Sequence, residues 1–124
     1  MKLYHITHAV CLPLIKAKGI LPDLRAKGVR PATPGIISVL LKPDRDRAEF
    51  ECSNNLFFDE YVVVEFQKGN HSLLKDRYDN NVRRELRLKK GCASIKDFQV
   101  CFSGTISLHT QRTYIHSFAA SLSL

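Results

Sequence analysis

The chain has 124 residues, 44% hydrophobic and 25% charged, with nineteen Lys and Arg against twelve Asp and Glu for a net charge of +7. That length gives one domain with a real core, residues 1–124, and leaves no room for two. No run approaches the ~18 apolar residues of a membrane span, and the start lacks a basic stretch followed by a long apolar run, so a cytoplasmic protein without a membrane partner is expected. The basic balance favours polyanionic partners: nucleic acid, a nucleotide or an acidic protein. A surface basic for solubility alone has the same balance.

In chain order, LYHITH predicts a first strand over residues 2–7. Alternation turns Leu3, His5 and Thr7 to one side and Tyr4, Ile6 and His8 to the other, so neither side is cleanly apolar. HAVCLPLIKAKG follows as a short helix. Val10, Leu14 and Ile15 are expected on its inner side, Pro13 in its first turn and Gly19 at its stop. ILPDLRAKGVRPATPG, with three prolines and the cations Arg25, Lys27 and Arg30, is expected as an irregular loop.

IISVLL (36–41) predicts a second strand buried on both faces, and KPDRDRAEFEC a short charged helix with Pro43 at its first position. YVVVEF (61–66) is the clearest strand, rich in β-branched and aromatic residues. HSLLKDRYDNNVRR reads as a turn or short helix, and ELRLKK (85–90) alternates as a further strand. FQVCF (98–102) and TISLHT (105–110) are expected to pair across a tight turn at Ser103-Gly104, and TYIHSF (113–118) to add a last strand. The sum is a strand-rich α+β domain of about six short strands, with one or two helices in the N-terminal half.

Cys11, Cys52, Cys92 and Cys101 are widely spaced and form no C-x-x-C pair, so reduced thiols are expected rather than a zinc site or a disulfide frame. His109 and His116 are too far apart to argue for a metal. The chain contains no phosphate-binding glycine loop, dinucleotide fingerprint or nucleophile elbow.

Three stretches could hold chemistry. In YHITH, a strand histidine and the threonine two residues on can hydrogen-bond a ribose hydroxyl or a phosphate. A half-buried histidine bonded to backbone is the plain alternative. In RRELRLKK, Glu85 stands among Arg83, Arg84, Arg87, Lys89 and Lys90. The cations suit phosphates and the carboxylate suits a developing oxocarbenium, whereas the same pattern also fits an exposed edge strand whose charges oppose aggregation. The loop around Arg30 is either a basic surface or a phosphate-gripping lid.

YHITH followed by L-P-x-I-x-x-x-G-I-L-P resembles the opening of ADP-ribosyltransferase-fold proteins. The closest likenesses are DNA-modifying toxins of the DarT type, small bacterial and phage relatives, and the RNA 2′-phosphotransferases. The match spans about residues 2–22, and a looser one covers ELRLKKGCASIKDFQV. The resemblance implies a split sheet and NAD as substrate. It implies His5 on the first strand as a ribose-holding and catalytic residue, with Thr7 beside it and Ser38 as the second-strand hydroxyl. Glu85 becomes the late catalytic glutamate, and Arg30 or a cation of 83–90 holds pyrophosphate. The acceptor is expected to be nucleic acid, DNA or RNA, or protein. The rivals are an RNA phosphate-handling enzyme of the same fold, needing no glutamate, and a non-catalytic basic nucleic-acid binding module.

Overall fold

The computed structural model describes residues 1–22, 35–52, 60–74 and 83–106. Its elements are β1 (Lys2–His8), a 3-10 turn (Ala9–Cys11), α1 (Leu12–Lys18), β2 (Ile36–Leu40), α2 (Arg45–Cys52), β3 (Glu60–Gln67), β4 (Ser72–Leu74), β5 (Arg83–Arg87) and β6 (Phe98–Thr105). The strands form one sheet in the order β4-β5-β2-β1-β3-β6, with every pairing antiparallel. The expectation of a strand-rich α+β domain of about six short strands, with one or two helices in the N-terminal half, is met.

The sheet is joined unevenly. β1 and β3 pair at every position from Lys2–Gln67 to His8–Tyr61, and β2 and β5 from Ile36–Arg87 to Leu40–Arg83. Between them, β1 and β2 share a single paired position, Tyr4 with Leu40. Two three-stranded halves, β4-β5-β2 and β1-β3-β6, therefore meet at one point and part along His5–His8 and Ile36–Ser38.

Alternation assigns each residue to a side, and each side has its own core. Leu3, Val62, Val64 and Phe66 pack with Ile37, Val39, Leu86 and Leu88 under Ile15, Ile20 and Ile95. On the other side Tyr61, Val63, Ala48 and Ile106 form a smaller cluster with Tyr4, Ile6 and Phe102. β2 serves both sides, with Ile36, Ile37, Val39 and Leu40 all buried.

Pro13 stands in the first turn of α1, and Gly19 ends it at φ +84°, a left-handed conformation costly for other residues. Val10 and Leu14, expected inside with Ile15, are instead 62% and 49% exposed. Val10 lies in the 3-10 turn, where three residues per turn shift the helical phase, and the two turns of α1 leave room for one inward residue, Ile15. The second helix begins later than Pro43. The Arg47 N–H donates to Asp44 Oδ1 at 3.0 Å, so Asp44 caps α2 and Pro43 precedes it.

The 71–84 stretch also differs from its expectation: Ser72–Leu74 forms β4, paired with β5, and residues 75–82 lie outside the described ones. β5 starts at Arg83 rather than Glu85, and β4 on one side with β2 on the other make it an interior strand, not an edge. Ser103-Gly104 makes no turn. β6 runs straight through it, with Gly104 opposite Tyr61. A bulge between Val63 and Val64 leaves Cys101 as the extra residue opposite them. The strands expected at 105–110 and 113–118 fall, from residue 107 on, outside the described residues, as do 23–34 of the expected basic loop.

Cys11, Cys92 and Cys101 are free thiols. Among the described residues no helix is long and apolar enough to cross a membrane.

Candidate functional site at the parting of β1 and β2

The parting between the halves begins at His5. Its Nδ1 lies 2.8 Å from the carbonyl oxygen of Ser38. A carbonyl only accepts, so Nδ1 holds a proton and donates it to Ser38. The side chain thus bridges the strands where their backbone pairing has ended.

That bond fixes what faces β5. In a strand, a residue's N–H and C=O point to the same neighbour, and the Ser38 carbonyl points to β1. Ser38 and Glu85, which are register partners, therefore form a pair without backbone hydrogen bonds. The Leu88 N–H donating to the Gly35 carbonyl at 2.7 Å gives the same phase independently: positions 35/88, 37/86 and 39/84 are bonded, and 38/85 is not. Such pairs bring Cα atoms to about 4.5 Å and side chains closest together. Ser38, half-buried, and Glu85, exposed, therefore project from neighbouring strands to the same side of the sheet.

The remaining candidates sort by alternation. Arg87, exposed and two residues from Glu85, shares its side, whereas Arg84 is on the opposite side next to Val39. Counted through the Tyr4–Leu40 pair, His5 and Thr7 lie with Leu3 on the side opposite Glu85. The structure does not set the His5 and Glu85 side chains on one face; it links them through Ser38, whose main chain bonds His5 and whose side chain projects to the side of Glu85. Thr7, half-buried, pairs with Val62. Arg30 lies outside the described residues. Among those residues no cluster of His, Cys, Asp and Glu could hold a metal ion.

His8, at the end of β1 opposite Tyr61, is half-buried, and burial lowers its pKa below the ordinary 6.5. The folded state resists its protonation while the unfolded chain does not. This contribution to stability is therefore complete above pH ~6.5 and declines as pH falls below that value toward the folded pKa. A series of thermal melts should show His8→Gln flattening part of the acid limb below pH ~6.5; an unchanged limb would show that His8 contributes nothing to it. The Cys101 thiol moves the other way, pushed up by burial and then by the Glu65 carboxylate, which makes it a poor nucleophile.

A concavity of about 250 Å³ lies away from this parting, at the start of β1 and the end of β3, lined by Lys2, Glu65, Asp97 and Phe98. Glu65 is held there by Lys2 at 3.8 Å and by Gln99 Nε2–H. Sequence reasoning passed over Glu65, although a carboxylate inside the apolar run YVVVEF was a visible signal. No protein-family model, curated protein or solved structure matches this chain.

Proposed function

We propose that the chain is an ADP-ribosyltransferase-like enzyme that takes NAD as substrate and passes ADP-ribose to a nucleic acid or protein acceptor. The observation that carries the reading is the close Ser38–Glu85 pair beside the His5 bridge, at the point where the two half-sheets part. The resemblance of residues 2–22 supports it from the sequence side.

In this reaction the bond between the ribose anomeric carbon and the nicotinamide nitrogen breaks. Its electron pair leaves with nicotinamide and neutralises the pyridinium, while positive charge develops on the ribose. The Glu85 carboxylate opposes that charge, and the Ser38 hydroxyl, from the same side of the sheet, hydrogen-bonds the sugar. An oxygen or nitrogen of the acceptor then bonds the anomeric carbon and gives up its proton to solvent water. Alternation makes His5 a positioning residue, holding β2 by its Ser38 carbonyl, in place of the direct ribose contact that the resemblance implies. Arg87 shares the side of Glu85, which supports it, over Arg84, as the β5 cation for the pyrophosphate. In biological terms the reading is a cytoplasmic toxin or phage-defence factor.

The test is incubation with isotope-labelled NAD and separate DNA, RNA and protein acceptors, read by mass spectrometry. Nicotinamide release with transfer of label to one acceptor class is expected. NAD left intact in every arm would end the reading, and loss of phosphate from RNA instead would assign the chain to the phosphate-handling relatives.

A further inference from the structure

The count through the Tyr4–Leu40 pair that sets His5 and Thr7 apart from Glu85 puts His8 on the side of Glu85. β1 keeps its alternation to its end: it is paired with β3 up to His8–Tyr61, and His8 itself is extended at φ −74° and ψ 145°. We propose that His8 is the general base of the transfer step, taking the proton of the acceptor oxygen or nitrogen as that atom bonds the ribose anomeric carbon. This role rests on the NAD reading above.

The register gives the spacing. Continued past Tyr4–Leu40, it sets His8 across the parting from Ile36, one row beyond Ser38, and Ile36 pairs with Arg87 on β5. The His5 bond to the Ser38 carbonyl, 2.8 Å long, keeps β1 and β2 within a side chain's reach at the start of the parting. With strands about 4.8 Å apart and residues about 3.3 Å apart along them, the His8 and Glu85 Cα atoms are separated by roughly 12 Å or more. Side chains reaching toward each other over that distance leave room for a sugar and an attacking atom between them. A base that activates an incoming nucleophile has to stand off by that width, as in inverting glycoside hydrolysis.

The ring suits the role at neutral pH. His8 is half-buried, and burial lowers its pKa below 6.5, so the imidazole is neutral and accepts a proton. Nδ1 is shut off from solvent, which assigns the role to Nε2. The acceptor lone pair forms the bond to the anomeric carbon, the O–H or N–H pair stays on the acceptor atom, and the proton passes to Nε2. The imidazolium then releases it to solvent. Around His8, the described titratable groups are Tyr61, opposite it on β3 and fully buried, and the Cys11 thiol of the 3-10 turn. α2, packed on β1 and β3, carries Asp46 and Glu49. Its Arg45 bonds the Ser103 carbonyl and stacks on Phe102, and its Arg47 stacks on Phe50. Glu85 and Arg87 lie across the parting.

The experiment incubates the full chain with isotope-labelled NAD and a pool of mixed-sequence DNA, mixed-sequence RNA and casein, and separates modified acceptor from free ADP-ribose by mass spectrometry. Glu85 acts on the bond breaking common to both products, so its titration cancels in their ratio. Attacking water hands its proton to the surrounding solvent unaided, whereas transfer needs His8. The ratio of modified acceptor to free ADP-ribose should fall about tenfold per pH unit once pH drops below the folded pKa of His8. His8→Gln should lower the ratio about 100-fold at pH ~7.5 and flatten its pH dependence. His8→Ala should regain part of it with added imidazole. The pH dependence of the parent chain needs no variant, so it decides the role even where His8→Gln fails to fold. A parent ratio constant from pH ~7.5 to ~5, a folded His8→Gln with the parent ratio, or free ADP-ribose with no acceptor modified would each overturn the role of His8 and leave NAD cleavage standing. NAD left intact by the parent chain would remove the underlying reading and this role with it.

Discussion

Replacing Glu85 by Gln is expected to lower NAD turnover by about 10²–10³, the ~3–4 kcal/mol attached to one preorganised electrostatic contact in a transition state. The substitution keeps the shape of the side chain and part of its hydrogen bonding but removes the charge that opposes the oxocarbenium. The loss should therefore appear in kcat and kcat/KM together, with little change in KM. Glu85 is exposed on β5, so stability should stay within ~0.5 kcal/mol of the parent. His5→Ala makes the contrast. It leaves the Ser38 carbonyl without its imidazole donor at the parting of the strands, costs about 1 kcal/mol of stability, and should weaken NAD binding and turnover together. Glu85→Gln with unchanged turnover would remove the mechanism proposed here and leave the phosphate-handling and binding-module readings standing.

The site was partly legible before the fold was known. His5 could be picked out because a histidine interrupts a strand pattern, and Glu85 because one acid sits among five cations. Their relation was not legible, because it depends on which strands pair and in what phase. Ser38 and Glu85 are 47 positions apart in sequence and become neighbours only through the β2–β5 register. The same register separates Arg87 from Arg84, which the sequence presents as equivalent cations.

The elements divide along a similar line. β1, β2 and β3 are long or apolar enough for local pattern to decide them. β4 is three residues long and is a strand only because β5 offers an edge to pair with, a tertiary effect that local propensity does not contain. The start of α2 went to Asp44 because a carboxylate that accepts a backbone N–H outweighs the preset φ of Pro43. Ser103-Gly104 misled for the opposite reason. Glycine marks turns when its φ is the point, but here it answers to the space taken by a side chain on the next strand.

That space makes Gly104→Ala the stability change with the largest expected effect. A Cβ at this position would overlap the Tyr61 hydroxyl and lie 2.6 Å from Cζ and 2.8 Å from Cε1 of the same ring. Tyr61 has no room to retreat: it is fully buried and meets Phe102 edge-on, with centroids 6.3 Å apart at 87°. Relief requires a shift of the β3–β6 pairing or of the Tyr61 rotamer, at a cost of about 3 kcal/mol, the upper part of the range for overpacked cores. Without the tyrosine the sign would reverse, since alanine in a strand interior is worth roughly 0.5–1 kcal/mol over glycine. Chemical denaturation of Gly104→Ala, alone and with Tyr61→Phe, separates the two. Removing the hydroxyl takes away the nearest overlap but leaves Cζ in place, so the second background should recover about 1 kcal/mol of the loss, a coupling typical of residues in contact. An alanine that leaves stability unchanged or raises it would mean that β6 does not press against Tyr61, and the glycine would need another explanation.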